Sequence, residues 1–227
     1  AIVLELDAEK APMTVLNFAD YLDAKFYDGT VFHRVVPHSV IQGGGYLPDM
    51  TEKKDGLLPP IPCESFNGLV NDRGAIAMYR VPGYSKSART QFFINLQRNE
   101  RFDKLRDGEG YAVFGKVVEG MDVVEKIRDV KVDVHPKYAA GKNPVVPVTP
   151  VLIRSIRLLT PLDRPAADSL AKAAVVTDDV RLNTLIRRLE TETNSKAVVT
   201  ASGLRVIDRS IGKGAFPMLE EAVELNY

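Results

Sequence analysis

No tryptophan and only one cysteine occur in this chain of 227 residues, and its thirty basic side chains are matched by thirty acidic ones. A single thiol, Cys63, excludes an internal disulfide framework and a cysteine zinc site, and reads as a small residue packed in a loop. The cancelling charges, with no run of five of one sign, leave no electrostatic footprint for nucleic acid or an anionic membrane surface. Wholly apolar runs end after a few residues, far short of the roughly 18 needed to span a bilayer, so no membrane insertion is expected. The histidines His33, His38 and His135 are scattered and lack a His-Glu-x-x-His or paired acidic motif, so no metal or other cofactor is expected. Gly43 to Gly45 run into Tyr-Leu-Pro rather than Lys-Ser/Thr, which fits turn glycines and not a phosphate loop. Ser39 next to His38 lacks a Gly-x-Ser-x-Gly elbow, and adjacent turn residues point apart, which argues against a hydrolase.

What is present is enough apolar residue, 45%, for one sizeable core and a small second unit. Short β runs fill residues 1–160: "AIVLEL", "VFHRVV", "VIQGG", "GAIAMY", "TQFFINL", "YAVFGKVV" and "VLIRSIRLL". Two segments have helical spacing instead. Val15, Phe18, Ala19 and Leu22 line one stripe, with Thr14 as its expected N-cap, and "GMDVVEKIRDV" makes a shorter one. A closed β-barrel with a helix over each open end would bury both.

After residue 160 the composition shifts to alanine-rich and amphipathic helix, with Leu182, Leu185, Ile186 and Leu189 at helical spacing. Helices over 163–193 must bury that stripe on the barrel, on each other or on a second chain, so self-association is one option. From 199 the pattern returns to β. The expected domains are therefore 1–160, a helical linker over 161–198, and a short β segment over 199–227. The chain opens directly in strand pattern, without a start methionine or signal region, which suggests that something upstream has been removed.

The stretch "FHRVVPHSVIQGGG" places a charged side chain where an apolar face is expected. If a hairpin closes through Pro37, His38 and Ser39, Val36 pairs with Val40 and Arg34 falls opposite Gln42. Strict alternation puts Phe32, Arg34 and Val36 on one face and His33 on the other. "TQFFIN" likewise sets Gln91, Phe93 and Asn95 against Phe92 and Ile94. A guanidinium held by an amide beside apolar neighbours is a donor aimed at a ligand, or an edge arginine with its head in water.

"FHRVVPHSVIQGGG", "NGLVNDRGAIAMYR", "ARTQFFINL" and "GYAVFGKVVEGMDVVEKI", in this order, resemble the cyclophilin peptidyl-prolyl cis-trans isomerases in their bacterial form. The resemblance covers about residues 1–160. It implies a mainly β fold, an eight-stranded antiparallel barrel capped by two helices. It implies proline-containing polypeptides as substrates and no cofactor. By motif position, Arg34 corresponds to the catalytic arginine, Gln42 orients it and contacts substrate, and Gln91 binds peptide. Phe93 corresponds to the floor of the proline pocket, to which Phe32 and Val40 also belong. Met78, Tyr79 and Arg80 occupy the segment whose backbone pairs with substrate. Phe102 stands at a pocket-wall leucine position and Tyr111 at one that is often histidine.

Two positions depart from the family pattern. Ser39 replaces the phenylalanine wall of the pocket, and Arg101 aligns with its tryptophan or phenylalanine neighbour unless a one-residue shift places Phe102 there. Losing an aromatic wall removes about 1.5–3 kcal/mol of apolar contact. Altered substrate preference and poor cyclosporin binding follow as expectations, and a proline-peptide-binding scaffold is the alternative. Resemblance to exported bacterial members favours the periplasm over the cytoplasm. The tail "SGLRVIDRSIGKGAFPMLEEAVELNY" resembles the opening of an FKBP-type isomerase, with Tyr227 matching a pocket tyrosine, but it spans only a fraction of such a domain.

Overall fold

Short, largely apolar runs within residues 31–95 lay down the central strands of a curled antiparallel sheet. The computed structural model describes residues 1–106, 108–138, 143–174, 198–199 and 205–206. It falls into two units, Ala1–Ala171 and Lys172–Tyr227. In the first, strands β1 (Val3–Leu6), β2 (Val31–Val36), β3 (Val40–Gly43), β4 (Ala75–Met78), β5 (Phe92–Asn95), β6 (Val113–Glu119) and β9 (Val151–Leu152) form one sheet ordered β1-β6-β4-β5-β3-β2-β9. Strands β7 (Val132–Asp133) and β8 (Val146–Pro147) pair separately.

The expected closed barrel of eight strands is thus a seven-stranded sheet that stays open between β1 and β9 among the described residues. The long run "VLIRSIRLL" contributes only Val151–Leu152. Pro147 and Pro150 each lack a ladder donor, which cuts the C-terminal edge into short pieces. Those pieces share the edge of β2: Val31 and Phe32 pair with β9, while Val35 N–H donates to Val145 O at 2.7 Å.

The main core lies on the face formed by Phe32, Val35, Ile41, Ile76, Met78, Phe92, Ile94 and Phe114. Helix α1 (Pro12–Asp23) covers it with Val15, Phe18, Tyr21 and Leu22, and α2 (Met121–Arg128) with Val124 and Ile127. Thr14 does not cap α1. Pro12 opens the helix in the place where its missing N–H costs nothing, and the cap comes from a distant loop. The buried Glu64 carboxylate accepts from Met13 N (3.1 Å), Thr14 N (2.7 Å) and Thr14 Oγ1 (2.6 Å). An anion at a helix N-terminus meets both the orphan donors and the positive end of the dipole. Glu64→Ala would leave those donors buried and unpaired. It is expected to cost roughly 1–3 kcal/mol, seen as a fall of several degrees in Tm, and an unchanged melt would remove the cap from the stability argument.

Gly120 precedes α2 as its N-cap; its φ is 86° and a Cβ there would lie 2.2 Å from Ala1 O, so only glycine fits. A third helix, α3, covers 164–174; at its start Arg164 reaches Asp20 Oδ1 and Asp23 Oδ2, both at 2.6 Å. The rest of the expected linker, 175–197, and its leucine stripe lie outside the described residues. In the second unit, β10 (Val198–Val199) pairs with β11 (Arg205–Val206). The FKBP-like reading of 202–227 otherwise falls outside the described residues.

Strict alternation fails in β2 at the position that matters for the site. Phe32 pairs with Gly43 but Arg34 pairs with Gln42, so two residues of β2 oppose one of β3, a bulge at His33. Phe32 therefore turns into the main core, edge-on to Phe92 at 6.1 Å, while Arg34 emerges on the other face. The expectation that Phe32, Arg34 and Val36 share a face is corrected accordingly.

Candidate functional site

The face opposite the core carries a smaller apolar cluster of Val40, Ala75, Ala77, Phe93 and Val113, with Tyr79, Phe102 and Tyr111 packed against it half-buried. β3 and β5 pair Gln42 with Phe93, so the amide of one strand stands beside the ring of the next. Phe93, Phe102 and Tyr111 form a three-ring corner. Their centroids lie 5.6 Å (Phe93–Phe102), 5.2 Å (Phe93–Tyr111) and 5.3 Å (Phe102–Tyr111) apart, all edge-on. Tyr79 stacks on Tyr111 at 6.0 Å.

Beside this corner runs a polar relay. Arg34 Nη1 donates to Gln42 Oε1 at 3.4 Å, and Gln42 Nε2 donates to Gln91 Oε1 at 2.9 Å. Gln42 is 4% exposed, so its amide orientation is fixed from both ends while the arginine remains half-exposed. That amide is the only hydrogen-bond partner of Arg34 among the described residues, which leaves further donors of its fork for a ligand. Gln91 folds across Gly45, where a Cβ would meet Gln91 Cγ at 2.5 Å. Gly45 is thus needed for close approach rather than as a turn residue.

Other expected site residues sit differently. Ser39 is buried and its hydroxyl is engaged with Asn99 Oδ1 at 3.3 Å. Met78 points its side chain into the main core. Its N–H and that of Tyr79 are already donated to Ala112 O (2.9 Å) and Gln91 O (2.8 Å), so these two donors are committed within the fold. Arg80 is 1% exposed. Its Nε and Nη2 bond Gly110 O (2.8 Å) and Glu109 O (2.9 Å), and its guanidinium carbon lies 6.0 Å from the Tyr111 ring centre, so it holds Tyr111 in place. Arg101 is exposed, its guanidinium 5.5 Å from the Phe102 ring centre.

Sequence reasoning missed the surroundings of His33. The ring is fully buried, 4.5 Å from Tyr46 and 5.5 Å from Tyr138, and neither nitrogen has a hydrogen-bond partner among the described residues. Burial, with the charge of Arg34 adding to it, pushes its pKa down from 6.5 to about 3. The nearby Val31 backbone and Gln91 side chain act in the opposite sense and are outweighed. Cys63 is half-buried, its thiol directed at Gly110 O at 3.4 Å and its pKa raised by burial. No group of three or more potential metal ligands occurs among the described residues, and no described helix is long and apolar enough to cross a membrane.

Residues 1–157 match the family described as "Cyclophilin type peptidyl-prolyl cis-trans isomerase/CLD". The chain is 44% identical over 158 residues to peptidyl-prolyl cis-trans isomerase A of Dickeya dadantii, covering 70% of this chain and 79% of that one. It is 42% identical over 158 residues to peptidyl-prolyl cis-trans isomerase B of Escherichia coli, covering 68% and 92%. Among solved structures, a cyclophilin type peptidyl-prolyl cis-trans isomerase of Cryptosporidium parvum superposes with a TM-score of 0.57 at 21% identity, over 71% of this chain and 92% of that one.

Proposed function

Because this chain belongs to the cyclophilin-type peptidyl-prolyl cis-trans isomerase family, we propose that it speeds rotation about Xaa-Pro bonds by setting the Arg34 guanidinium against the prolyl nitrogen while Phe93, Phe102, Tyr111 and Val40 receive the ring. The observation that carries this is the juxtaposition on one sheet face of a half-exposed, amide-anchored arginine and a three-ring apolar corner.

The uncatalysed rotation is slow because amide resonance sets a barrier of about 18–20 kcal/mol. As the bond twists, conjugation is lost and the nitrogen lone pair becomes available. A fixed donor at that nitrogen then binds the twisted form more strongly than either planar form, and only such differential binding accelerates the step. Each tenfold in rate requires about 1.4 kcal/mol. Arg34 supplies the donor, Gln42 and Gln91 hold it in line, and the aromatic corner immobilises the proline so that rotation occurs on its N-terminal side. No nucleophile or cofactor takes part. The substrates are proline-containing segments of unfolded or partly folded polypeptides.

With Ser39 turned towards Asn99 and Arg101 exposed, the pocket has fewer apolar walls than the family pattern, so weak cyclosporin binding and relaxed selection for the residue before proline are expected. The test is the cis-to-trans relaxation of Ala-Pro and Leu-Pro peptides. Acceleration at catalytic enzyme concentration supports the isomerase. Binding without acceleration would make the sheet a peptide-holding scaffold instead.

A further inference from the structure

Behind the aromatic corner, buried polar side chains run in single file. The Ser39 hydroxyl donates to Asn99 Oδ1 (3.3 Å), Asn99 Nδ2 to Asn95 Oδ1 (2.8 Å), Asn95 Nδ2 to Asn71 Oδ1 (3.2 Å) and Asn71 Nδ2 to Asp103 Oδ1 (3.0 Å). A carboxylate can only accept, so Asp103 fixes the direction of every link, and all donors point the same way along the file. Arg98 anchors the far end by pairing with Asp103 Oδ2 at 2.5 Å. Partial burial works against ionisation of Asp103, but the Arg98 and Asn71 donors outweigh it and hold its pKa below the usual carboxylate value. Bonds aligned in one direction polarise and strengthen one another away from water.

Each wall of the corner is attached to a member of this file. Val40 follows Ser39, whose carbonyl also accepts from Asn99 Nδ2 at 3.1 Å. Phe93 lies two residues before Asn95 on the same face of β5. Phe102 N–H donates to Asn99 O at 2.8 Å, and Tyr111 O accepts from Asn71 Nδ2 at 3.3 Å. None of the asparagines belongs to the Arg34 relay.

We infer that Asn71, Asn95 and Asn99 are positioning residues that set the width of the proline pocket, acting through the walls rather than on the reacting bond. This rests on the isomerase reading of the site. Because a proline ring fills the pocket equally in planar and twisted forms, a change in width alters uniform binding, which moves KM and leaves kcat in place. The arginine relay moves kcat instead.

The decisive variants are Asn95→Asp, which keeps the shape but removes the donor to Asn71, and Ser39→Ala, which removes only the first donor. Steady-state isomerisation is measured for both with the wild-type chain alongside. Asn95→Asp is expected to raise KM about tenfold with kcat within about twofold, and Ser39→Ala to raise KM by a smaller factor in the same sense. The near-ultraviolet circular dichroism of the tyrosines should change with KM. Should Asn95→Asp fail to fold, Ser39→Ala alone decides the point. A folded variant whose KM equals that of an active wild type overturns the positioning role, as does a fall in kcat at constant KM. A wild type that does not isomerise overturns the underlying reading instead.

Discussion

Arg34→Ala should lower kcat/KM for an Xaa-Pro peptide by roughly 10²- to 10³-fold, the usual consequence of removing one preorganised donor to a developing electron pair. The fold should not notice. Arg34 makes a single 3.4 Å hydrogen bond to Gln42 and is half-exposed, so its loss opens no cavity in the main core and the melting curve should barely move. Arg34→Lys is the sharper variant. It retains charge but replaces a planar fork with a compact ammonium on a flexible stem, so it should recover only part of the activity if donor placement matters. If lysine restored the full rate, simple positive potential over the aromatic corner would explain catalysis and the Gln42–Gln91 relay would be superfluous. A wild-type rate in Arg34→Ala would remove the arginine from the mechanism altogether.

Acid should destabilise the protein by about 5 kcal/mol through His33 alone. Above pH 6.5 the imidazole is neutral in both folded and unfolded chains and contributes no pH dependence. As pH falls below 6.5 the unfolded chain takes up a proton, while the folded ring, enclosed by Tyr46 and Tyr138 next to Arg34, stays neutral until about pH 3. Stability is therefore drained across that window, and the loss is complete below pH 3. Asp49, held down to about 2 chiefly by Thr51 and Lys137, loses its contribution only below about pH 3.8, at the foot of the window. Denaturant midpoints of wild type and His33→Leu at pH 7.5, 5 and 3.5 separate this residue from the other acid groups. The wild type should lose stability more steeply. Parallel curves would mean that water reaches the ring and lets it protonate in the folded state.

The elements that could be read in the sequence are those governed by short-range pattern. The 31–43 hairpin, the Arg34–Gln42 pair and the Gln91, Phe93 and Asn95 face all follow from period-two alternation and a short turn. The two capping helices follow from apolar spacing. Everything that depended on contacts between distant segments was hidden. Nothing near Pro12 announces that Glu64, fifty residues away from Thr14, completes the helix start. Nothing in "AMYR" shows that the arginine is buried under Tyr111 and the methionine turned into the core. The asparagines 71, 95 and 99 look like ordinary turn and strand-end residues until the fold brings them into a file. The closed barrel was anticipated from the spacing of the short β runs, but the last of them, "VLIRSIRLL", supplies only Val151–Leu152 to the sheet.

The bulge at His33 makes the site a matter of counting. Because β2 carries one more residue than β3 can pair, the residues before and after it obey opposite inside-outside parity. Deleting Val35 would leave composition, charge and hydropathy almost untouched, yet with Val36 still opposite Val40 it would set Arg34 opposite the core residue Ile41, whereas deleting His33 itself would remove the bulge and leave Phe32 and Arg34 on their present faces. A frame of one residue thus separates an outward-facing guanidinium from a buried, unpaired charge. Tolerance to length changes in the paired part of this hairpin should be far lower than tolerance to substitution, an asymmetry that a deletion scan across residues 28–46 would display as a deeper loss at Val35 than at His33.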